Sequence, residues 1–518
     1  MNKITRRDFV KLAACGAAGM MGLGVFDTSV WAAGPGGKRP NILFAIADDW
    51  AWPHASIVGA PEVRTPAFDY IAKKGCIFTN AFTAAPQCSP NRAATLTGRS
   101  ICEIEEAGTH GSIFPNKFAA FTDVLENSGY HVGFTGKGWA PGDWKAGGWK
   151  RNPAGDEYNE LKKNRVAAVG INGTDYAGNF KMFLDDREPG EPFFFWYGGF
   201  EPHRSYEPYS GQRRGKKVAE NVNVPSFLPD VMETRQDLLD YFFEVEWFDR
   251  QLGKMISLLD KMGELENTII VSTGDNGMPF PRAKANLYEY GTHVPLAVSW
   301  PAGIKAGCTV DALFSFTDFA PTFLEAAGAG IPEAMSGRSF YGLLSSPDPE
   351  AYAAPRDFVL TGRERHSHSR KDNLGYPARA LRTDDYLYIR NFKPDRWPAG
   401  DPDKFYDIDD SPTKNFLLKN REEFAGLYDM AVGKRKEEEL FDIKNDPECM
   451  NDLAASPEHE KIRTMLARKL EEELKKLGDP RVLGTGDIFD SYPRVSHMRG
   501  DLGGFAEQGK YNPAYIPK

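Results

Sequence analysis

Cysteine is scarce in this chain: six residues in 518, at positions 15, 76, 88, 102, 308 and 449. Their spacing forms no zinc-knuckle pattern and no dense disulfide framework, which excludes a zinc-nucleated or disulfide-stapled scaffold. No apolar run approaches the ~20 residues that a membrane-spanning helix needs. A basic surplus is also missing, the formal net charge being −9. Residues 1–32 carry Lys3, Arg6, Arg7 and Lys11 against Asp8 and Asp27, so the remainder stands at −11. Nucleic-acid binding needs a broad basic surface, and none is expected here. Internal repeats and low-complexity segments are absent as well.

The N-terminus is the first positive feature. Thr5-Arg6-Arg7-Asp8-Phe9-Val10-Lys11 precedes an uncharged run from Leu12 to Phe26. A twin arginine before a modest apolar run reads as a Tat-type signal, with Val30-Trp31-Ala32 as the cleavage site. Residues 1–32 are therefore expected to be a signal peptide handled by the Tat machinery, which places the protein in the periplasm or outside the cell. Leu12-Ala13-Ala14-Cys15 has the outline of a lipobox. It lies too close to the arginines, with Lys11 inside the would-be apolar core, so lipid anchoring is not expected.

The remaining length suits one large domain and a smaller one. Asn41–Ala47 is a nearly continuous apolar run that ends at Asp48-Asp49, the pattern of a strand buried on both faces. His131–Thr135, Phe193–Tyr197 and Thr268–Ser272 read the same way. Between them lie helical stretches: one opening at Thr65-Pro66 and closed by Gly75, one over Phe121–Asn127, and a long one over Met232–Met262. This alternation predicts an α/β fold with a mostly parallel central sheet flanked by helices. Past about Ala351 the texture changes. Arg379–Tyr388 alternates, Leu440-Phe441-Asp442 has antiparallel character, and Glu458–Leu477 is an amphipathic helix. The prediction is a catalytic domain over 38–346, a boundary in the proline-rich stretch 347–355, a smaller α+β domain with an antiparallel sheet over 356–480, and an extension over 481–518.

The stretch Cys88-Ser89-Pro90-Asn91-Arg92-Ala93-Ala94-Thr95-Leu96-Thr97-Gly98-Arg99 resembles the Cys-x-Pro-x-Arg signature of the formylglycine-dependent (type I) sulfatases. That resemblance implies an alkaline-phosphatase-like large domain and a cysteine oxidised to formylglycine by a maturating enzyme. The aldehyde hydrates to a geminal diol. A serine attacking a sulfate ester would end as a stable sulfated serine. A diol attacks with one hydroxyl and releases sulfate by deprotonating the other, so one hard step becomes two easier ones.

Asp48-Asp49 and Asp275-Asn276-Gly277 each follow an apolar strand, and ligand sites in open α/β sheets gather at the carboxyl ends of strands. Three carboxylates and an amide carbonyl make a hard oxygen set that favours Ca²⁺, or Mg²⁺, over zinc. Both strings look like the sulfatase metal motifs, which implies Asp48, Asp49, Asp275 and Asn276 as ligands with modified Cys88 completing the shell. Arg92 belongs to the signature. Lys137, in Thr135-Gly136-Lys137-Gly138-Trp139, and Lys284, ahead of Tyr288-Glu289, match the family's two lysine positions. These cations would hold sulfate oxygens and developing charge, because a few cations in a cleft can dominate locally even in an acidic protein. His203, in Pro202-His203-Arg204, matches a family Pro-His and suits a general acid for the leaving group.

Trp139 stands where the family's Gly-Lys-x-His has histidine. An indole is a donor only, so another base substitutes, or His203 serves both half-reactions, or turnover is slow. Asn91 replaces the commoner serine of the signature. Asp275 through Pro281 running into Asn286-Leu287-Tyr288, Pro202-His203-Arg204, Tyr376-Pro377-Ala378-Arg379 and Arg390-Asn391-Phe392 resemble the heparan N-sulfatase (sulfamidase) branch, over about residues 40 to 480. The branch implies loss of an N- or O-sulfate from a sulfated saccharide such as a glycosaminoglycan fragment. His366, His368 and Arg370 are candidates for contacting the sugar. Two other readings stay open: a phosphoester or phosphonate hydrolase, which would call for a second metal cluster not visible in the sequence, and a non-catalytic binder of sulfated glycans.

Overall fold

The computed structural model describes residues 38–503, apart from 347, 350, 351, 353–355, 403 and 497. The expected signal peptide, Cys15 and most of the proline-rich boundary lie outside the described residues. The central element is an eight-stranded sheet. Asn41–Ala47 lies at its middle, parallel to Phe193–Gly198 on one side and to Thr268–Gly274 on the other. His131–Gly136 continues the parallel run beyond Phe193–Gly198. Leu296–Ser299 alone reverses direction, pairing antiparallel with Thr268–Gly274 and with Cys76–Phe78, and Cys308–Val310 forms the far edge. Cys76 and Cys308 are register partners and are joined by a disulfide.

The unbroken apolar runs follow from burial on both faces. Ile42, Phe44 and Ile46 enter one core with Phe194, Trp196, Ile269 and Val271, while Leu43, Ala45 and Ala47 enter the opposite core with Phe193, Phe195, Tyr197 and Ile270. A period of two with apolar residues on both phases leaves no polar face, so helices must cover each side. Phe121 and Leu125 from the helix Phe121–Asn127, and Phe319 and Phe323 from Phe319–Ala326, cover the first face. Phe68 and Ile71 from Pro66–Lys74, together with the long helix Met232–Met262, cover the second.

A separate four-stranded antiparallel sheet is built from Val359–Arg363, Ala378–Arg382, Tyr386–Asn391 and Glu438–Asp442. The alternating stretch 379–388 is thus two strands joined by a tight turn at Thr383–Asp385. Leu466, Leu470 and Leu474 of the helix Glu460–Lys476 pack on Leu381, Tyr388 and Leu440 of that sheet. Both sheets lie within one compact unit.

Candidate active site

Four adjacent parallel strands end on the same edge of the large sheet, and each delivers a polar residue just past its last hydrogen-bonded position. His131–Gly136 leads into Lys137, Phe193–Gly198 into the turn that carries His203, Asn41–Ala47 into Asp48-Asp49, and Thr268–Gly274 into Asp275-Asn276. Register pairs Ala47 with Gly274, so the two acidic strings are neighbours by construction. Gly136 has φ +77, and a Cβ there would lie 2.0 Å from the Gly198 carbonyl oxygen, so only glycine lets the chain turn at this strand end. Asp49 takes φ 76, a left-handed conformation that costs a non-glycine residue about 1 kcal/mol.

Cys88 opens the helix Cys88–Thr97, every residue of which is buried. Pro90 is tolerated because it falls in the first turn, where amides have no intrahelical partner. The Cys88 thiol reaches Asp48 Oδ1 at 3.1 Å. Lys137 Nζ bonds Asp48 Oδ2 at 2.5 Å, and Lys284 Nζ bonds Asp49 Oδ2 at 2.7 Å. Arg92 Nε donates to Asp275 Oδ2 at 2.8 Å and its Nη1 to the carbonyls of Lys137 and Gly138 at 2.6 and 3.1 Å. The amide of Asp49 donates to Asp275 Oδ1 at 3.0 Å, and Asn276 Nδ2 to Asp49 Oδ1 at 2.7 Å. His203 Nε2 faces Asp49 Oδ2 at 3.9 Å, while its Nδ1 lies 2.7 Å from the Arg204 carbonyl. That carbonyl can only accept, so Nδ1 carries hydrogen and Nε2 is the ring atom turned to the cluster.

The donor set fits a hard divalent cation. Ligand atoms of Asp48, Asp49, Cys88 and Asp275 lie within 4.8 Å of one another. Asn276 Oδ1 is buried with no hydrogen-bond partner, an acceptor the fold otherwise strands. Burial and the neighbouring Asp48 push Asp275 up to about 6, against the pull of Arg92 and Lys137. Burial would also raise Asp48, but Lys137, with His203, Arg92 and Lys284, holds it well below the ordinary carboxylate range. Crowded carboxylates of this kind are relieved by a bound cation. Burial and Asp48 push the Cys88 thiol well above its ordinary value, so the sulfhydryl itself is a poor nucleophile here.

Several expectations change on meeting the structure. Asn91 is a brace: its Nδ2 donates to the Asp275 carbonyl at 2.6 Å, and its Oδ1 accepts from the Ala84 amide at 2.9 Å. Trp139 turns into the core against Phe114, and its indole donates to the Ser89 carbonyl at 3.0 Å. Arg370, expected to contact sugar, is buried and committed to Asp407 at 2.8 Å and to the carbonyls of Trp397 and Pro398. His368 is buried too and accepts from the Arg499 amide at 2.8 Å. Both side chains thus serve the C-terminal loops in this structure. His366 is buried against the His110 ring, centroids 4.6 Å apart, with Asp407 at 3.6 Å.

Sequence reasoning missed His110 and Asp409. Asp409 lies 3.3 Å from Lys284 Nζ and forms a second grouping with Asp49 and His203. Its signal was the acidic string Asp407-Ile408-Asp409-Asp410, which nothing local ties to the sheet edge. The absence of a second ligand cluster, inferred from the sequence, is thereby corrected. The Lys284 ammonium already touches two of that grouping's three members.

A mostly parallel sheet brings an acidic cluster that could hold a cation to a helix-opening cysteine, ringed by lysine and arginine, an arrangement suited to a hydrolase of anionic esters. The chain belongs to the sulfatase family, whose model ("Sulfatase") matches residues 40–329, and it is accordingly a sulfuric ester hydrolase. A second model, "N-sulphoglucosamine sulphohydrolase, C-terminal", matches residues 282–425. The human N-sulphoglucosamine sulphohydrolase is 28% identical over 486 residues, spanning 87% of this chain and 93% of that protein. An ulvan-active sulfatase of Formosa agariphila is 26% identical over 510 residues, spanning 90% and 82%. Among solved structures, a protein in complex with its substrate D-glucosamine-2-N,6-O-disulfate superposes with a TM-score of 0.63 at 21% identity, covering 85% of this chain and 99% of that one.

Proposed function

We propose that this chain is an exported sulfatase that removes a sulfate ester or N-sulfate from a sulfated saccharide, using Cys88 matured to formylglycine and one Ca²⁺, with Mg²⁺ as the other hard cation its ligands accept. The observation that carries the reading is the convergence of Asp48, Asp49, Asp275 and Asn276 on Cys88 at one sheet edge. The saccharide class rests on the relatives named above and on the C-terminal match, which includes both Lys284 and Asp409. When bound, the hydrated aldehyde supplies a nucleophile that can expel sulfate by re-forming its carbonyl, and the cation supplies adjacent positive charge.

The side chains divide the remaining work. Lys137 is held by Asp48 and Lys284 by Asp49, and both offer point charges to the sulfate oxygens. Arg92 is held by Asp275 and two backbone carbonyls, so its main task is to orient a metal-binding carboxylate. His203 presents Nε2 and gives a proton to the leaving oxygen or nitrogen. With Trp139 turned into the core, His203, left neutral by that donation, would then accept the proton of the second hydroxyl of the hydrated aldehyde in the second half-reaction. Export by the Tat route and a periplasmic or extracellular site complete the proposal, along with maturation by a formylglycine-generating enzyme.

Mass spectrometry of the Cys88 peptide from active protein tests the nucleophile. The expected result is a loss of about 18 Da relative to cysteine, from its oxidation to the aldehyde. Cys88→Ala should lower turnover of defined sulfated saccharides by at least about 10³-fold with unchanged thermal unfolding. Active protein still carrying the free thiol would overturn the reading.

A further inference from the structure

Asp409 sits beside the candidate site yet takes no part in the roles assigned above. It comes from the C-terminal region, two residues before Ser411 caps the helix Pro412–Lys419. Its Oδ2 lies 3.3 Å from the Lys284 ammonium, whose other partner is Asp49 at 2.7 Å. A carboxylate oxygen of Asp409 also lies within 4.8 Å of ligand atoms of Asp49 and His203. The side chain is 28% exposed, in contrast to the fully buried Asp49 on the far side of the same lysine. Asp409 Oδ2, which faces Lys284, is itself buried without a hydrogen-bond partner, while the rest of the side chain is partly exposed beside the 37%-exposed His203, so an incoming group would meet Asp409 on the His203 side.

Charge gives this position a consequence. Asp48, Asp49 and Asp275 are matched in number by Arg92, Lys137 and Lys284. Asp409 is a further fixed negative charge on the substrate side. A sulfate monoester carries one negative charge, as does a phosphodiester, whereas a phosphate monoester carries close to two above its second pKa of about 6. Coulomb repulsion from a fixed carboxylate scales with the charge of the group it faces, so it penalises the dianion about twice as strongly as either monoanion.

We propose that Asp409 is a specificity residue that discriminates by charge, admitting the singly charged sulfuryl group beside Lys284 and opposing doubly charged phosphate monoesters. This rests on the assignment of Lys284 to the substrate anion. It adds a selectivity element supplied by the C-terminal region to a cluster built from the ends of large-sheet strands and the helix that Cys88 opens.

Asp409→Asn keeps the shape and removes the charge. The rates kcat/KM are compared for para-nitrophenyl sulfate, para-nitrophenyl phosphate and bis(para-nitrophenyl) phosphate, using matured parent and variant at about pH 8, where the phosphate monoester is a dianion. Calorimetric binding of the same three esters to Cys88→Ala, with and without Asp409→Asn, gives a second readout without turnover. The expected result is that Asp409→Asn raises the phosphate-monoester to sulfate ratio about tenfold in both rate and affinity, while the diester to sulfate ratio moves by less than about twofold. An equal change on all three esters, no change on any, or a parallel rise for the diester would overturn the proposal. Failure of the parent to turn over sulfate ester at all would instead sink the sulfatase assignment of the site, and the binding ratios would still decide the role of Asp409.

Discussion

The small sheet buries a closed square of charge. Arg379 bonds Asp479 at 2.6 Å and Glu364 at 2.8 Å, Arg481 bonds the other oxygen of Glu364 at 2.6 Å, and the Arg481 backbone amide closes the fourth side by donating to Asp479 Oδ1 at 2.9 Å. Two cations meet two anions, and none of the four leaves a buried side-chain polar atom without a partner. The edge of the large sheet uses the same residue types with a different outcome. There Asn276 Oδ1 and Arg92 Nη2 are buried without hydrogen-bond partners, and burial together with the nearby Asp48 pushes Asp275 upward. Burial of charge alone therefore does not mark a functional site. A network that satisfies itself holds the fold, and one that strands an acceptor among crowded carboxylates leaves a donor set fitted to a cation.

The comparison breaks if the square is dispensable. Glu364→Ala removes the anion shared by Arg379 and Arg481 and strands both guanidinium groups in the interior. The expected cost is about 3–5 kcal/mol of unfolding free energy, the usual penalty for breaking a buried pair from one side. Chemical denaturation of metal-free protein measures it. A loss no larger than that of an exposed pair such as Lys181–Asp185 would show that the square carries no scaffold role.

The second test bears on the large-sheet edge. Calcium at about a hundredfold its dissociation constant should stabilise the parent by about 2.7 kcal/mol through mass action. Asp275→Asn, which deletes one carboxylate of the ligand set, should lose most of that gain, whereas an equally conservative Asp479→Asn should keep it. Equal calcium responses in the two variants would erase the distinction between the clusters.

What could be read from the sequence follows the same divide. Asp48-Asp49, Asp275-Asn276, Lys137 and the Cys88 string are short motifs at the ends of apolar runs, and a parallel sheet turns such runs into neighbours. The gathering of these residues is thus a local signal multiplied by topology. Asp409 was not legible, because an acidic turn far along the chain reaches Lys284 only through the packing of the C-terminal region. The same holds for Arg370 and His368: their composition suits sugar binding, but carbonyls and amides from distant loops had already claimed them. Trp139 was legible as a missing base, while its direction into the core depended on Phe114 and Ser89. In the fold, the long runs were plain. The reversed strand Leu296–Ser299 and the three-residue strands at Cys76 and Cys308 are too short for periodicity to assign direction.

Asp249 offers the finest test, since it is a buried carboxylate of neither kind. It is 1% exposed, lies on the long helix, and accepts from the Ala67 and Phe68 amides at 2.9 and 2.8 Å, at the N-terminus of the helix Pro66–Lys74. Backbone dipoles take the place of a cation, and they are not enough: burial pushes the carboxyl up to about 7 despite those two bonds. The folded state then holds a proton that the unfolded state has already released. Stability from this group is fully present below the unfolded pKa near 4 and is lost as pH rises through about 7, with a slope of up to about 1.4 kcal/mol per pH unit between them. Asp249→Asn keeps an acceptor for the helix amides and removes the titration. Denaturation midpoints taken across pH 5 to 8 should fall less steeply for the variant than for the parent, with the variant ahead at the alkaline end. Parallel slopes would mean that two amides do stabilise a buried carboxylate as a guanidinium does, and the line drawn between the two charge clusters would have to move.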